Sequence, residues 1–180
     1  NNILQFARLD ADKRISCDWE SAEEILADLI RRWRERNLGN RLHIQLQPQL
    51  PLLWCDAILI GQLLENLVDN ALKYSPPDSV VIVSAHLEND GYVFSVTDSG
   101  EGIDARWHNT IFEPFQRGPL DQNGKPKIGA GVGLALCRAI ALAHKGDIKV
   151  ECPQAGGSRF CFWLPSYELP NKTKNSGVPS

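Results

Sequence analysis

The sequence predicts a two-layer α/β sandwich, in which a mixed β-sheet carries helices on one face. Segments with strand alternation and segments with helical periodicity interleave in the order β-α-β-α-β-β-(long loop)-α-β-β. Two pairs of neighbouring strands are joined by turns too short for a crossover, so these pairs are expected to be antiparallel. The length of 180 residues, 43% of them hydrophobic, suits one domain with a short appendage.

The first part of the chain predicts two helices and a short strand. Residues 1–12 carry apolar side chains at helical spacing and are expected to form the end of a longer helix; the chain contains no methionine, so we expect a fragment of a longer protein. A short strand is expected near residues 14–19. A helix is predicted over 21–36, with a capping box of Ser21 and Glu24 and a stop at Gly39. Its apolar stripe consists of Ile25, Leu26, Leu29, Ile30 and Trp33.

Next come an alternating strand and a long helix. Residues 41–47 alternate apolar and polar side chains and predict a strand, and residues 48–54, with two prolines, predict a connection. Asp56 is the expected N-cap of a helix that runs to about Tyr74 and is ended by Ser75, Pro76 and Pro77.

The second half predicts two hairpins that flank a loop and a helix. Strands are expected at 79–87 and 92–98, joined by a turn at 88–91, and at 147–152 and 158–165, joined by 153–157. Residues 99–130 are expected to be mostly irregular, and a helix over 131–145 to be stopped by Gly146. The predicted domain is therefore 13–165, followed by a disordered tail at 166–180.

Composition excludes several classes of protein. With 19 basic and 22 acidic residues the net charge is −3, which gives no field of the kind that binds nucleic acid or acidic membranes. No apolar run is long enough for a transmembrane helix, and no secretory signal opens the chain. Five cysteines without a C-x-x-C pair favour reduced core thiols over a disulfide framework or a zinc site: Cys17, Cys55, Cys137, Cys152 and Cys161.

A polar stripe on the long helix is the first candidate site. Asn66, Asn70 and Lys73 lie at i, i+4 and i+7 and therefore point the same way. An amide oxygen can complete the coordination of a Mg²⁺ ion whose charge is balanced by phosphates, and a lysine can contact the phosphates. The alternative interpretation is an ordinary solvated helix face.

A carboxylate at the end of an inward strand face is the second candidate. Tyr92, Phe94, Val96 and Asp98 share one face, which is apolar until Asp98. A buried carboxylate needs hydrogen-bond donors, and a purine amine is a suitable one. The following glycines, Gly100 and Gly102, would let the backbone approach a flat ring, although an Asp-Gly turn at a strand end is the plainer alternative.

Glycines before the last helix form the third candidate. Gly129, Gly131 and Gly133 would leave backbone amides facing a phosphate at a helix N-terminus, or would form a flexible hinge. The G-x-G-x-G spacing matches neither a Rossmann nor a Walker loop.

The long loop before these glycines predicts a lid. Residues 116–128 hold Arg117, Lys125 and Lys127 against one acid, which suits a triphosphate. Phe112 and Phe115 would anchor the base of the lid or pack in the core.

Together these motifs resemble the catalytic domain of sensor histidine kinases. ENLVDNALKYS resembles the N box of that family, DSGEGI its G1 box, IFEPF its F box and GAGVGLAL its G2 box, in the family's order. The opening NNILQFARLDA resembles the end of the second dimerisation helix. Stretches such as CRAIALAHKGDI are similar to the potassium-responsive Kdp-type sensor kinases.

The resemblance implies a Bergerat-type fold that binds ATP and Mg²⁺. It implies that Asp98 accepts from the adenine amine and that Asn70, with Asn66, holds Mg²⁺. Arg117 would reach the γ-phosphate from the lid. The other residues that it places around the nucleotide are Lys73, Tyr74, Gly100, Gly102, Ile103, Phe115, Gly129, Gly131, Val132, Gly133 and Leu134.

Two departures bear on the reaction. Related hydrolytic ATPases carry a glutamate, one turn before the Mg²⁺-binding asparagine, that activates water; this chain has Asn66 there, which cannot act as a base. Glu65 is adjacent but about 100° round the helix. The acceptor histidine of the family is also absent, because all four histidines are expected to be structural or surface residues: His43, His86, His108 and His144.

The sequence therefore predicts an ATP-dependent protein-histidine kinase domain. It would transfer the γ-phosphoryl of Mg-ATP to a histidine on its own dimerisation domain, for relay to the receiver domain of a response regulator. We expect this chain to be monomeric and cytoplasmic, and its parent to be a homodimeric sensor kinase of the inner membrane. The alternatives are a non-catalytic nucleotide-binding pseudokinase and an anti-sigma-type serine kinase on the same fold.

Overall fold

A computed structural model describes residues 15–36, 38–115 and 132–168, and it confirms the predicted fold class. A five-stranded mixed sheet, in the order β2-β4-β5-β7-β6, carries the helices on one face. The strands are β1 (Asp18–Glu20), β2 (Leu42–Leu46), β3 (Leu53–Cys55), β4 (Val81–Glu88), β5 (Gly91–Thr97), β6 (Asp147–Glu151) and β7 (Arg159–Pro165). The α-helices are α1 (Ala22–Glu35), α2 (Ala57–Tyr74) and α3 (Gly133–Ala143).

The sheet combines one crossover with two hairpins. β2 pairs with β4 in parallel, and α2 lies between them in the chain. The turn between β4 and β5 consists of Asn89 and Asp90, whose positive φ values of 47° and 62° suit the right-handed twist of an antiparallel hairpin. β5 pairs on its other side with β7, which also pairs with β6. β5 is thus the central strand.

A separate two-stranded ribbon corrects the prediction for residues 48–54. Leu53–Cys55 forms β3, antiparallel to β1, where the sequence predicted only a connection. Trp19 lies opposite Trp54, with ring centroids 5.4 Å apart. A strand of three residues is too short to show alternation, which is why the sequence did not reveal it.

The two long helices begin where the sequence predicts. Ser21 Oγ accepts a hydrogen bond from Glu24 N at 3.4 Å, and Asp56 Oδ1 accepts one from Leu59 N at 3.1 Å. α2 ends at Tyr74, as expected. The prediction that Gly39 ends α1 is wrong.

α1 ends at Glu35, because amides just beyond it satisfy its last carbonyls. Arg36 N and Leu38 N both donate to Trp33 O, at 3.2 and 3.0 Å. Gly39 instead begins a short 3₁₀ helix, Gly39–Arg41.

The end of α3 is a Schellman motif that a lysine completes. Lys145 N donates to Leu142 O and Gly146 N to Ala141 O, both at 2.9 Å. The left-handed residue is Lys145, with φ 61°, and not the expected Gly146. Gly146 is required for another reason, since a Cβ there would collide with the carbonyl oxygen of Trp163.

The core lies between the helices and the sheet, where Phe94 and Phe162 stack with centroids 4.9 Å apart. Three cysteines are buried, as expected, but Cys17 is half-buried and Cys152 is exposed, so these two are not core thiols; all five are free. Among the described residues no helix is both long and apolar enough to cross a bilayer. The predicted helix end at 1–12 and almost all of the predicted tail lie outside the described residues.

Candidate functional site

Asp98 follows β5 and is 7% exposed, at the end of the inward face predicted from the sequence. Its Oδ1 accepts hydrogen bonds from Gly100 N at 2.7 Å and from Ser158 N at 3.3 Å. Its own backbone N–H donates to Ser158 O at 2.9 Å. The carboxylate is therefore fixed by the loop that follows β5 and by the turn that precedes β7.

Burial dominates the electrostatics of this carboxylate. Desolvation raises the pKa of Asp98, although hydrogen bonds from Gly100 and Ser158 act in the opposite direction. The partners within the described residues thus stabilise the charge less than water would. A carboxylate in this state gains from any further donor that a ligand brings.

Glycines let three backbone segments meet around Asp98. A Cβ on Gly100 would lie 2.7 Å from Tyr74 O, at the end of α2, and 2.9 Å from Asp98 Oδ1. Gly157 has φ +82°, and a Cβ there would collide with the carbonyl oxygen of Asp98. Gly102, with φ +78°, lies against the carbonyl of Gly157. Close approach, rather than flexibility, is the role of these glycines.

The predicted polar stripe divides between the interior and the surface. Asn66 and Asn70 are half-buried, and Lys73 is exposed with its Nζ 5.6 Å from the centroid of the Tyr74 ring. The Asn66 side chain lies beside Cys137 of α3, where it lowers the pKa of that thiol against the larger effect of burial. Two carboxamides one turn apart offer neutral oxygen ligands, a donor set that fits Mg²⁺ only where phosphates balance its charge.

Glu65 faces a different element. Its Oε1 accepts a hydrogen bond from Arg32 Nη1 of α1 at 2.9 Å. This contact agrees with the expectation that Glu65 lies round the helix from the asparagines. A carboxylate engaged by α1 is not positioned as a general base beside Asn70.

The N-terminus of α3 is the remaining described part of the predicted site. Val132 is the N-cap residue and makes no side-chain capping bond, so its side chain leaves the first-turn amides of Gly133 and Leu134 uncapped. Arg117, Gly129 and Gly131, which the sequence also predicted here, lie outside the described residues. A helix start of this kind favours an anion.

The two phenylalanines expected to anchor a lid behave differently. Phe112 is 4% exposed and meets the Phe160 ring edge to face at 6.1 Å. Phe115 is 73% exposed with φ +61°, so it does not anchor anything in the described structure. Of the two, Phe112 lies where the sequence placed it.

Sequence reasoning missed Ser158 and Gly157, which hold Asp98 in place. The sequence predicts residues 153–157 only as a hairpin turn. The available signal was the pair Gly156-Gly157 followed by a hydroxyl residue at a strand start, a pattern that indicates close backbone approach.

The chain belongs to the family described as histidine kinase-, DNA gyrase B- and HSP90-like ATPases, whose model matches residues 55–168. It is homologous to the ATP-binding catalytic domains of two-component sensor histidine kinases. This family accounts for the order of the motifs and for the sheet on which Asp98 lies.

Particular relatives and one solved structure illustrate the match. The chain is 32% identical to the sensor protein KdpD of Escherichia coli K12, over 94% of this chain and 19% of KdpD. It is 33% identical to the alginate biosynthesis sensor protein KinB of Pseudomonas aeruginosa, over 92% of this chain and 27% of KinB. Full-length ShkA, solved in complex with AMPPNP, superposes with a TM-score of 0.77 at 26% identity, over 94% of this chain and 35% of that one. The chain thus spans about a fifth to a quarter of these curated relatives.

Proposed function

We propose that this chain is the catalytic part of a sensor histidine kinase, which binds Mg-ATP and transfers its γ-phosphoryl group to a histidine on a separate dimerisation domain. The observation that carries the proposal is the state of Asp98, a carboxylate that is 7% exposed. Burial raises the pKa of Asp98 more than its hydrogen bonds lower it. Asp98 follows the central strand of a fold that belongs to an ATP-binding family, and the N-cap residue of α3, Val132, makes no side-chain capping bond.

In this proposal Asp98 recognises the adenine ring of ATP. Its carboxylate accepts a hydrogen bond from the exocyclic amine of adenine, while Gly100 and Gly102 keep side chains out of the plane of the ring. Ile103, half-buried against the core, supplies an apolar contact. The specificity for adenine follows from this pairing, because a guanine carbonyl at the same position would face an acceptor.

Residues of α2 and α3 would neutralise the negative charge of the ATP phosphates. Asn66 and Asn70 would hold Mg²⁺, which supplies positive charge to the phosphates. Lys73 and the first-turn amides of α3 bind phosphate oxygens and orient the γ-phosphoryl group for in-line attack by a histidine. Glu65 is bound to Arg32 and is therefore not available as a base for water, which favours transfer over hydrolysis.

The first test is calorimetric titration of a non-hydrolysable ATP analogue with Mg²⁺ into wild type and Asp98→Asn. We expect one-to-one binding that weakens about 100-fold in the variant, the scale of a lost hydrogen bond to a charged group. Asp104→Asn is the matched control, because Asp104 is exposed and pairs with Arg106 at 3.0 Å. Equal binding by Asp98→Asn and Asp104→Asn contradicts the assignment.

The second test distinguishes the reaction from its rivals. Labelled ATP is added to this chain together with a dimerisation domain from the full-length protein. An acid-labile phosphoprotein supports transfer to histidine, whereas an acid-stable product supports the anti-sigma-type serine kinase. Nucleotide binding without any label supports the pseudokinase.

The proposal extends to the relay. In the whole protein, a homodimer through its dimerisation domain, the phosphoryl group passes to the receiver domain of a response regulator. This domain acts in the cytoplasm. Addition of a receiver domain to the labelled protein should move the label to an aspartate, a transfer measured as loss from one band and gain in the other.

A further inference from the structure

Cys152 and His108 form a pair that the proposed reaction does not use. Cys152, directly after β6, is exposed, and its Sγ lies 3.6 Å from His108 Nε2. Both side chains converge on Ile103, in the loop that follows Asp98. The Cys152 Sγ lies 3.3 Å from Ile103 N and 3.1 Å from Ile103 O, and His108 Nε2 lies 2.9 Å from the same oxygen.

These distances fix the roles of the groups. A carbonyl oxygen only accepts, so His108 Nε2 carries a proton and donates it. The thiol form of Cys152 donates to Ile103 O. When the thiol gives its proton to solvent in the exchange, Ile103 N–H remains as a donor to the sulfur at 3.3 Å, and His108 Nε2–H, bonded to Ile103 O, faces the sulfur at 3.6 Å. The exposed sulfur therefore has a backbone N–H and an imidazole N–H on its protein side.

The sulfur also opens onto space that a reagent can occupy. An open groove of about 500 Å³ adjoins Cys152, and Arg106, Trp107 and Pro153 are among its walls. The other four thiols are less available. Cys55, Cys137 and Cys161 are buried, and burial, with the Asp56 carboxylate nearby, raises the pKa of Cys17.

We propose that Cys152, positioned by His108, is a thiol-modification site for low-molecular-weight disulfides, and that the mixed disulfide formed there weakens nucleotide binding. The regulatory half rests on the proposed function. The modification itself does not.

The chemical step is thiol–disulfide exchange. The Cys152 thiolate attacks one sulfur of the reagent disulfide, whose S–S bond breaks as the new one forms. The other half leaves as a thiolate and takes a proton from solvent. The reagent is the oxidant, and a reducing thiol reverses the reaction by the same route.

The consequence for the site follows from the shared contacts. A substituent on Sγ removes the bonds to Ile103 N and O and occupies the groove below the loop. Gly102 lies close to the same sulfur: a Cβ built on Gly102 would be 3.7 Å from Cys152 Sγ and 3.0 Å from Gly157 O. Displacement of Gly102 and Ile103 alters the surface assigned to the base.

The test uses 5,5′-dithiobis(2-nitrobenzoate) as the probe disulfide on the native chain, with release of its coloured thiolate as the rate and peptide mass mapping as the location. We expect Cys152 to react about tenfold faster than any other thiol. Cys152→Ser should remove the fast phase, and the control Cys17→Ser should keep it. His108→Leu should slow it several-fold, whereas His108→Gln, which retains an N–H donor, should restore much of the rate.

Nucleotide binding is then measured on the same samples. The adduct should weaken binding of the ATP analogue about tenfold or more, and dithiothreitol should restore it. Cys152→Ser should bind normally and be insensitive to the probe. First reaction at Cys17, or an unchanged rate in folded His108→Leu, overturns the site. A Cys152 adduct that leaves the affinity of a binding-competent chain unchanged overturns the regulation.

Failure of the proposed function has a different signature. In that case the unmodified chain binds no nucleotide, yet Cys152 still reacts first, and only the regulatory half falls.

Discussion

Two aspartates near opposite ends of α2 accept the same kind of hydrogen bond and do different things. Asp56, before the first turn, accepts from Leu59 N at 3.1 Å and from Ser16 N at 3.0 Å. Asp98, beside the last turn, accepts from Gly100 N and Ser158 N. Each carboxylate thus has two backbone donors, but Asp56 is half-exposed and Asp98 is 7% exposed.

The difference shows what separates a structural acid from a functional one. Asp56 is assisted by the helix that it caps, since its donor Leu59 N belongs to a helix start. Asp98 has as many backbone donors and also the Ser158 side chain, yet it is more buried, and burial raises its pKa. A buried carboxylate with too few hydrogen-bond donors lowers the stability of the fold. This loss of stability is expected at a binding site, where the ligand supplies the missing donor.

The largest effect is expected at the turn that holds Asp98. Gly157→Ala should destabilise the fold by about 3 kcal/mol, because its Cβ collides with the Asp98 carbonyl and its φ is positive. Gly156→Ala is the matched control: φ is +92°, but nothing lies within 4 Å, so about 1 kcal/mol is expected. Urea denaturation measures both, and equal losses would show that crowding at Asp98 has no role.

The two aspartates should respond to substitution with opposite signs. Asp56→Ala should lower the free energy of unfolding by about 1 kcal/mol through loss of the N-cap. Asp98→Asn should leave it unchanged or raise it at neutral pH, since a desolvated charge is removed. Thermal denaturation of both variants tests the contrast.

The raised pKa of Asp98 also predicts how the stability of the fold changes with pH. The pKa of Asp98 in the folded chain is raised above its ordinary value of 3.8. At pH values between these two pKa values the folded chain binds more protons than the unfolded chain. Stability from this group is present at low pH and is lost as pH rises through the folded pKa. Asp98→Asn should remove that slope, and a destabilised Asp98→Asn would contradict the comparison.

A smaller effect is expected from His144, at the Asp56 end. Its Nε2 accepts from Asp56 N at 3.0 Å and its Nδ1 donates to Ile140 O at 2.7 Å, an arrangement that only the neutral ring can make. Burial lowers the pKa of His144 from 6.5 despite the nearby Asp56 carboxylate. Below about pH 6.5 the unfolded chain therefore binds the proton and the folded chain resists it.

Stability should accordingly fall as pH drops from 7 towards 5, by up to about 1.4 kcal/mol per pH unit. His144→Gln should flatten this slope at some cost in stability at pH 7. The exposed His43→Gln variant controls for the removal of a histidine. A slope that survives in His144→Gln assigns the pH dependence elsewhere.

The smallest effect is expected at Glu65. Glu65→Gln breaks a partly exposed ion pair with Arg32, worth about 0.5 kcal/mol or less. Nucleotide affinity and phosphotransfer rate should be unchanged in Glu65→Gln, whereas Asn70→Ala should lose both. A large loss of transfer in Glu65→Gln would make that carboxylate a catalytic base.

The sequence predicts the helices and hairpins well, because their signals are local. The cap at Asp56, the end of α2 at Tyr74 and the turn at Asn89–Asp90 each depend on residues within one turn of chain. β3 and the role of Ser158 depend on partners far away in sequence, and neither leaves a periodic pattern.

For the site, the sequence could predict which side chains carry the chemistry but not how they are held. The period of β5 placed Asp98 on the inward face, as the structure has it. The spacing on α2 could not show that Asn66 contacts Cys137, because that depends on how α3 packs. Phe115 was misplaced for the same reason: an apolar residue near a buried one need not be buried.

The position of β5 between β4 and β7 has a consequence for how the molecule assembles. β4 and β5 meet across a two-residue turn, but β7 must find β5 across the chain between Thr97 and Arg159. Closing a long loop costs entropy before its contacts form, so we expect the first hairpin to form early and β7 to dock late. Ser158, whose amide donates a hydrogen bond to Asp98, docks together with β7, so the adenine site is complete only after the final step of folding. Bound nucleotide should therefore slow unfolding without speeding refolding.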